Sequence, residues 1–403
     1  MHKQLFCQNL LESALKNSIH AKRKQCLVRF LSDLMDYDTT LSVTEIGKKL
    51  TSKSTVKSKI YAANTWVNNF KLERHILCIY KGLAHFFWDK ASDIVVLIDW
   101  TGACSKGYHV LQASIVAHGR SIPLYHETHT DSEQENASIH HQFLLNLKEV
   151  LPSHLAVTII TDAGFHREWF QQVIDLGWDV IGRIYSLYSY QIEGESDWHA
   201  VKDIDFKGIG NPLQLGKVKL GKTKKAVCGY LYTYKERLSK AKQKKRSKYP
   251  DVNKAFSQYY RKGWVIFSSI NKPARFLVKY YKKRMQIEQN FKDIKNEQLG
   301  LGLRRNQSTK KTPSNMLFFL GTLLIIIAWW FGLMLESLNK HLAYQANSIK
   351  YKRIRSFVHL GRMAFRHEPH LLEWNLFLKI ISELQLQYHL FIEVGFLMDC
   401  TKL

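Results

Sequence analysis

The chain has 403 residues, 45% apolar and 12% aromatic, enough for a large core and too apolar for disorder throughout. Its 59 Lys and Arg against 34 Asp and Glu leave a formal net charge of +25, which points to a polyanionic partner, nucleic acid first and an anionic membrane surface second. The cysteines at 7, 26, 78, 104, 228 and 400 include no C-x-x-C pair, so a zinc finger or disulfide framework is unsupported; reduced thiols in a cytosolic protein are expected, and the N-terminus does not read as a secretory signal.

Residues 1–90 read as helical. Within them 41–50 is a short amphipathic stretch, 51–55 a polar break carrying Lys53, and a basic stretch with Lys57, Lys59, Trp66 and Val67 follows. Two helices joined by such a turn suit a helix-turn-helix DNA-binding unit, although any small helical bundle shares the pattern. From 93 the texture changes. The run 94–98 (IVVLI) is a strand ending on Asp99, and 108–117 and 121–127 are further strands around a turn at Gly119 and Arg120. A helix over 138–151, a strand over 157–160 ending on Asp162, a helix over 167–176 and a strand over 178–184 complete the first part of a mixed sheet covered by helices. Residues 188–262 break the rhythm. They hold strand pieces such as 226–234 and a basic run over 235–248 with Arg237, Lys240, Lys242, Lys244, Lys245 and Arg246, and they read as a β-rich insertion. A strand over 264–267 and one long helix over 275–297 follow.

Residues 316–335 run without a charge, flanked by Lys310, Lys311 and Lys340. Their length alone suits a membrane span. A helix buried on all sides in a large domain suits it better here, because a chemistry-bearing helix lies upstream and a mixed, basic segment, 336–403, follows. That last segment reads as helical, a candidate dimerisation element.

Three carboxylates stand out. Asp99 and Asp162 each close an apolar run, and a carboxylate at the C-terminal end of a strand sits at the sheet rim, where open α/β sheets place ligands. Singly, such residues serve as well as turn formers or caps. Tyr281, Arg284, Glu288 and Lys295, on one helix, would fall within an arc of roughly 60°. Ile287, Phe291 and Ile294 lie off that stripe and are expected to pack inward. An Arg284–Glu288 surface salt bridge would explain part of the pattern. Phosphodiester chemistry explains all of it: two divalent ions about 3.5–4 Å apart need carboxylate oxygens, and the strand's phosphates need cations. On that reading Asp99 bridges the ions, Asp162 and Glu288 complete one site each, Arg284 and Lys295 hold phosphates, and Tyr281 donates to a phosphate or stacks on a sugar.

The segment Tyr281-Lys-Lys-Arg284-Met-Gln-Ile-Glu288 with Lys295 matches Y-x2-R-x3-E-x6-K. It resembles the signature of bacterial insertion-sequence transposases with a DDE triad, closest to their cut-and-paste, hairpin-forming branch. Residues 98–100, 161–165 and 299–304 resemble the neighbouring blocks. The resemblance implies an α/β fold with an RNase H-like mixed-sheet catalytic core over 91–187 and 263–335, a β-rich insertion over 188–262, and a preceding helical domain over 1–90 that binds terminal inverted repeats. It implies two Mg²⁺ per active site, for which Mn²⁺ can stand in, and a homodimer on double-stranded DNA ends and target DNA, with no membrane and no small-molecule substrate. It also implies Trp264 stacking on a flipped base in the hairpin step and, more weakly, Arg183 contacting phosphate. A DNA-binding regulator and a repurposed nuclease that cuts without joining are the competing readings.

Overall fold

The computed structural model describes residues 2–16, 18–223, 225–237, 263–346, 348–349 and 352–394. It divides into two compact units, Met1–Ala156 with Met285–Leu403, and Val157–Arg284.

The first unit opens with α1 (His2–Leu15), α2 (Ala21–Leu34), α3 (Val43–Lys49), α4 (Val56–Val67), the single turn α5 (Phe70–Glu73) and α6 (Ile76–Trp88). Side-chain caps start α3 and α4: Ser42 Oγ accepts from Glu45 N and Thr55 Oγ1 from Ser58 N, each at 3.3 Å. The two helices meet closely. A Cβ on Gly47 would lie 2.5 Å from Ile60 Cα, so only glycine fits there. Strands β1 (Asp93–Gly102), β2 (Tyr108–Ile115) and β3 (Ile122–Thr130) form an antiparallel meander, and α7 (Ala137–Val150) packs on α6 and β3. Strand β1 does not stop at Asp99, as its apolar run suggested. Its pairing with β2 continues to Gly102↔His109, because a ladder partner satisfies backbone groups whatever the local hydropathy.

The second unit carries β4 (Ala156–Thr161), α8 (Arg167–Asp175), β5 (Asp179–Arg183), β6 (Ser189–Ile192), β7 (His199–Ala200), β8 (Leu213–Leu220), β9 (Val227–Tyr234), β10 (Trp264–Ser268) and α9 (Ala274–Lys282). Its strands order as β4-β5-β10-β9-β8-β6-β7. β4 and β5 are parallel and the other pairings antiparallel, so this is a mixed sheet, and strands from 188–262 extend it. Helices α8 and α9 both pack against β5, and Phe170 of α8 stacks on Phe267 of β10 with centroids 5.2 Å apart. Of the basic run, Lys240, Lys242, Lys244, Lys245 and Arg246 lie outside the described residues.

The chain returns to the first unit with α10 (Met285–Lys295), α11 (Lys311–Ser337), α12 (Phe357–His367), α13 (Trp374–Leu386) and α14 (Tyr388–Val394). The single helix expected over 275–297 is therefore two, α9 and α10. Lys283 N bonds Tyr280 O and Arg284 N bonds Tyr281 O, both at 3.0 Å, tightening the end of α9 into a 3₁₀-type turn. No Gly or Pro marks the break; each helix is held by strands of its own unit, α9 by β5 and β8, α10 by β1.

Helix α11 is long and apolar enough to cross a membrane, yet its apolar window is wholly buried in the fold. Trp330 stacks on Phe87 at 5.0 Å and meets Trp329 edge-on at 5.2 Å. Against α12 the approach is closer still: a Cβ on Gly361 would lie 1.9 Å from Ala328 O. The described cysteines, 7, 26, 78, 104 and 228, are free, and Cys400 lies outside the described residues.

Candidate active site

In the first unit, Asp99 sits in the body of β1, half-buried, in register with Gln112, and its Oδ1 accepts from Trp100 N at 2.9 Å. Glu288, also half-buried, is on α10, which packs against that strand. One polar face pins α10 to the meander. Gln286 bonds both backbone groups of Ala117 (to N at 3.0 Å, to O at 2.6 Å). Asn290, fully buried, accepts from Gln112 Nε2 at 3.0 Å, and Asp293 pairs with Arg120 at 2.8 Å. Ile287, Phe291 and Ile294 are buried alongside. Glu288 and Lys295, seven residues apart and so within about 20° of each other, lie on the opposite side from the Gln286–Asn290–Asp293 face. Lys295 Nζ donates to Thr101 Oγ1 of β1. Burial pulls the Lys295 ammonium below the ordinary lysine range, and the Asp99 carboxylate pulls it back up. The first unit thus carries two acids and one desolvated cation on a strand and a helix packed together.

In the second unit, Asp162 follows the end of β4 and turns back on itself, Oδ1 accepting from Gly164 N at 2.8 Å. It lines a cavity of about 670 Å³ shared with Arg183 at the end of β5, Tyr185, Lys202, and Tyr281 and Arg284 at the end of α9. Trp264 starts β10, half-buried, tilted against Tyr234 at 5.5 Å and edge-on to Tyr281 at 5.4 Å. Lys282 Nζ lies 4.4 Å from the Tyr234 ring centre.

The signature's four residues therefore do not share a helix face. Tyr281 and Arg284 stand in the second unit with Asp162, Arg183 and Trp264, while Glu288 and Lys295 stand in the first with Asp99. Among the described residues no group of three or more His, Cys, Asp or Glu forms a ligand cluster. Residues 90–327 match the family described as the transposase DDE domain. The chain belongs to that family. It is a transposase, an enzyme whose partner is DNA, and its relatives generally use divalent metal ions. The matched span takes in Asp99, Asp162, Glu288, Lys295, Trp264 and Arg183, and its mixed sheet with covering helices is compatible with an RNase H-like core. No curated protein sequence matches the chain.

Helices α1–α6 precede the matched span. Lys53 lies in the turn between α3 and α4, and Lys57 and Lys59 on α4, the first two exposed and Lys59 half-buried. Sequence reasoning missed Gln286, Asn290 and Asp293. Their spacing of four and three on one helix was a usable signal, since it marks a polar face. Gln112 and Arg120, their partners on the meander, carried no local signal.

Proposed function

We propose that this transposase binds the terminal inverted repeats of its mobile element, cleaves the DNA ends and transfers them to target DNA, with Asp99, Asp162 and Glu288 as its catalytic carboxylates. The observation that carries the reading is the cavity in which Asp162 meets Arg183, Tyr281 and Arg284. A carboxylate beside two guanidinium groups suits a phosphodiester under attack: the guanidiniums bind non-bridging oxygens in forked geometry while the acid faces the scissile bond. Lys295 beside Asp99 repeats the pairing in the first unit.

The donor set fits Mg²⁺, a hard cation that prefers carboxylate oxygens. Asp99, Asp162 and Glu288 would hold a pair of such ions. When bound, such a pair activates the attacking oxygen and stabilises the leaving one. The chain's own residues do the positioning. Arg284, Arg183 and Lys295 hold phosphates of the bound strand, Tyr281 donates a hydrogen bond to one, and Trp264 offers a ring on which an extruded base stacks in a hairpin step, a contact worth roughly 1–3 kcal/mol. Lys53, Lys57 and Lys59 contribute to end binding, two copies of the chain hold a pair of ends, and the work is done on the bacterial nucleoid in the cytoplasm.

The test is Mg²⁺-dependent cleavage of duplex DNA carrying the repeats that flank the gene, with Glu288→Gln alongside. The natural chain is expected to cut at the repeat ends and yield hairpin products, and the variant to bind those ends without cutting. Substantial cutting by the variant would remove Glu288 from the site. Binding without cutting by the natural chain would put the regulator reading first.

A further inference from the structure

Helix α4 stands out from the first unit as a ridge between two clefts. Tyr61, 73% exposed, lines both. One cleft, about 570 Å³, runs between α4 (Asn64, Asn68) and the segment Gln307-Ser-Thr-Lys310 that leads into α11. The other, about 850 Å³, runs between α4 and the α2 residues Lys22, Gln25 and Arg29. The crest carries Lys57, Tyr61, Asn64, Thr65 and Asn68, all exposed and within an arc of about 100°. From 51 to 68 the chain has three lysines and no acid. Asp33, at the edge of the second cleft, is engaged by Thr51 N at 2.9 Å and Thr51 Oγ1 at 2.6 Å.

Resting on the end-binding reading above and deepening it, we infer that α4 is the base-reading helix, seated in the major groove of duplex DNA, and that the two flanking clefts receive the two sugar-phosphate backbones. A helix with its side chains is about 10–12 Å across, the width of that groove. The crest has the side chains that read base edges: Asn64 and Asn68 match the adenine edge, Lys57 the guanine edge, and Thr65 offers a methyl to thymine. Asn68 Nδ2 now donates to Asn64 Oδ1 at 3.2 Å on the solvent face, a bond exchanged for base contacts with little loss. The cleft walls have the other set, Lys, Arg, Ser, Thr and Gln, which hold phosphates without reading sequence. One wall is new to the site. Lys310 and its neighbours lie just downstream of the helix that carries Glu288, so the segment that clamps the bound end is continuous with the catalytic block.

Selection from duplexes with a randomised core, using the full-length chain, separates the roles. The natural chain is expected to enrich a motif. Asn64→Ala with Asn68→Ala should lose preference at one contiguous step of it by roughly 10- to 100-fold, with affinity for unrelated duplex little changed. Arg29→Ala and Lys310→Ala should keep the motif, weaken binding to every sequence, and each lower the slope of log affinity against log salt by about 1. All these side chains are exposed, so the thermal midpoints should match that of the natural chain. An unchanged motif in the Asn64, Asn68 double variant overturns base reading by α4 while leaving end recognition intact. A natural chain that binds duplex but enriches no motif overturns both.

Discussion

Replacing Arg120 with Met tests how the helix carrying Glu288 is held. Arg120 Nε lies 2.8 Å from Asp293 Oδ2, with side chains 26% and 15% exposed, and joins the β2–β3 turn to α10. Burial pushes the Asp293 carboxyl above its ordinary range, against the pull of Arg120 first and of Arg362 and Lys292 after it. Removing one partner of a buried pair costs about 3–5 kcal/mol, and partial exposure puts this case nearer 2–3 kcal/mol. At about 2–4 °C per kcal/mol for a large domain, the midpoint should fall by about 5–10 °C at neutral pH. The pH dependence has a definite sign. With its folded pKa above the unfolded one, Asp293 binds more proton in the folded state between the two values, so its contribution to stability falls as pH rises through that window. Loss of Arg120 raises the folded value further. The deficit of Arg120→Met relative to the natural chain should therefore shrink as the pH is lowered from neutral towards the carboxylate range, and Asp293→Asn in the same chain should recover most of it. Thermal unfolding followed by circular dichroism at several pH values reads both effects. A neutral-pH deficit below about 0.5 kcal/mol, or one that does not change with pH, would show the pair to be a solvated surface contact and refute the reasoning.

Three further outcomes are expected. Lys295→Met should leave the thermal midpoint unchanged or raised, because a desolvated charge is removed, while cleavage falls roughly 10- to 100-fold; a drop in stability with unchanged cleavage would make Lys295 a structural residue. Trp264→Ala should spare first-strand nicking and impair hairpin formation, with Trp264→Phe intermediate; equal loss of both steps in a nicking and hairpin assay would assign Trp264 to packing against Tyr281. His126, buried and bonded to Tyr80 at 2.6 Å, has its pKa lowered by burial to about 4, so it costs stability as pH falls from about 6.5 to 4, where only the unfolded chain takes up the proton. His126→Gln should flatten the acid side of the stability profile, and an unchanged slope would show that the imidazole is solvated.

Much of this protein was legible locally. The apolar runs before Asp99 and Asp162 marked β1 and β4, the charge-free stretch after Lys311 marked a helix, and the signature segment marked the family. These follow from residue type and short-range period, which a linear chain displays directly. Where neighbours across the sheet set the outcome, the reading fell short. Strand β1 outruns its apolar segment because β2 supplies a ladder to Gly102, and the helix through Tyr281 and Glu288 breaks at Lys283 and Arg284 because its two halves pack on different strands.

The sequence by itself determined the family and those strands and helices that a local apolar run or period marks, since each rests on side chains within a few residues of one another. Only the tertiary structure decided that Asn290 meets Gln112 and Asp293 meets Arg120, that Arg183 shares a cavity with Asp162 and Arg284, and that Lys310 faces α4 across a cleft. Several of those pairings join residues more than a hundred positions apart, and a contact at that separation is set by how whole elements pack, which no local pattern encodes.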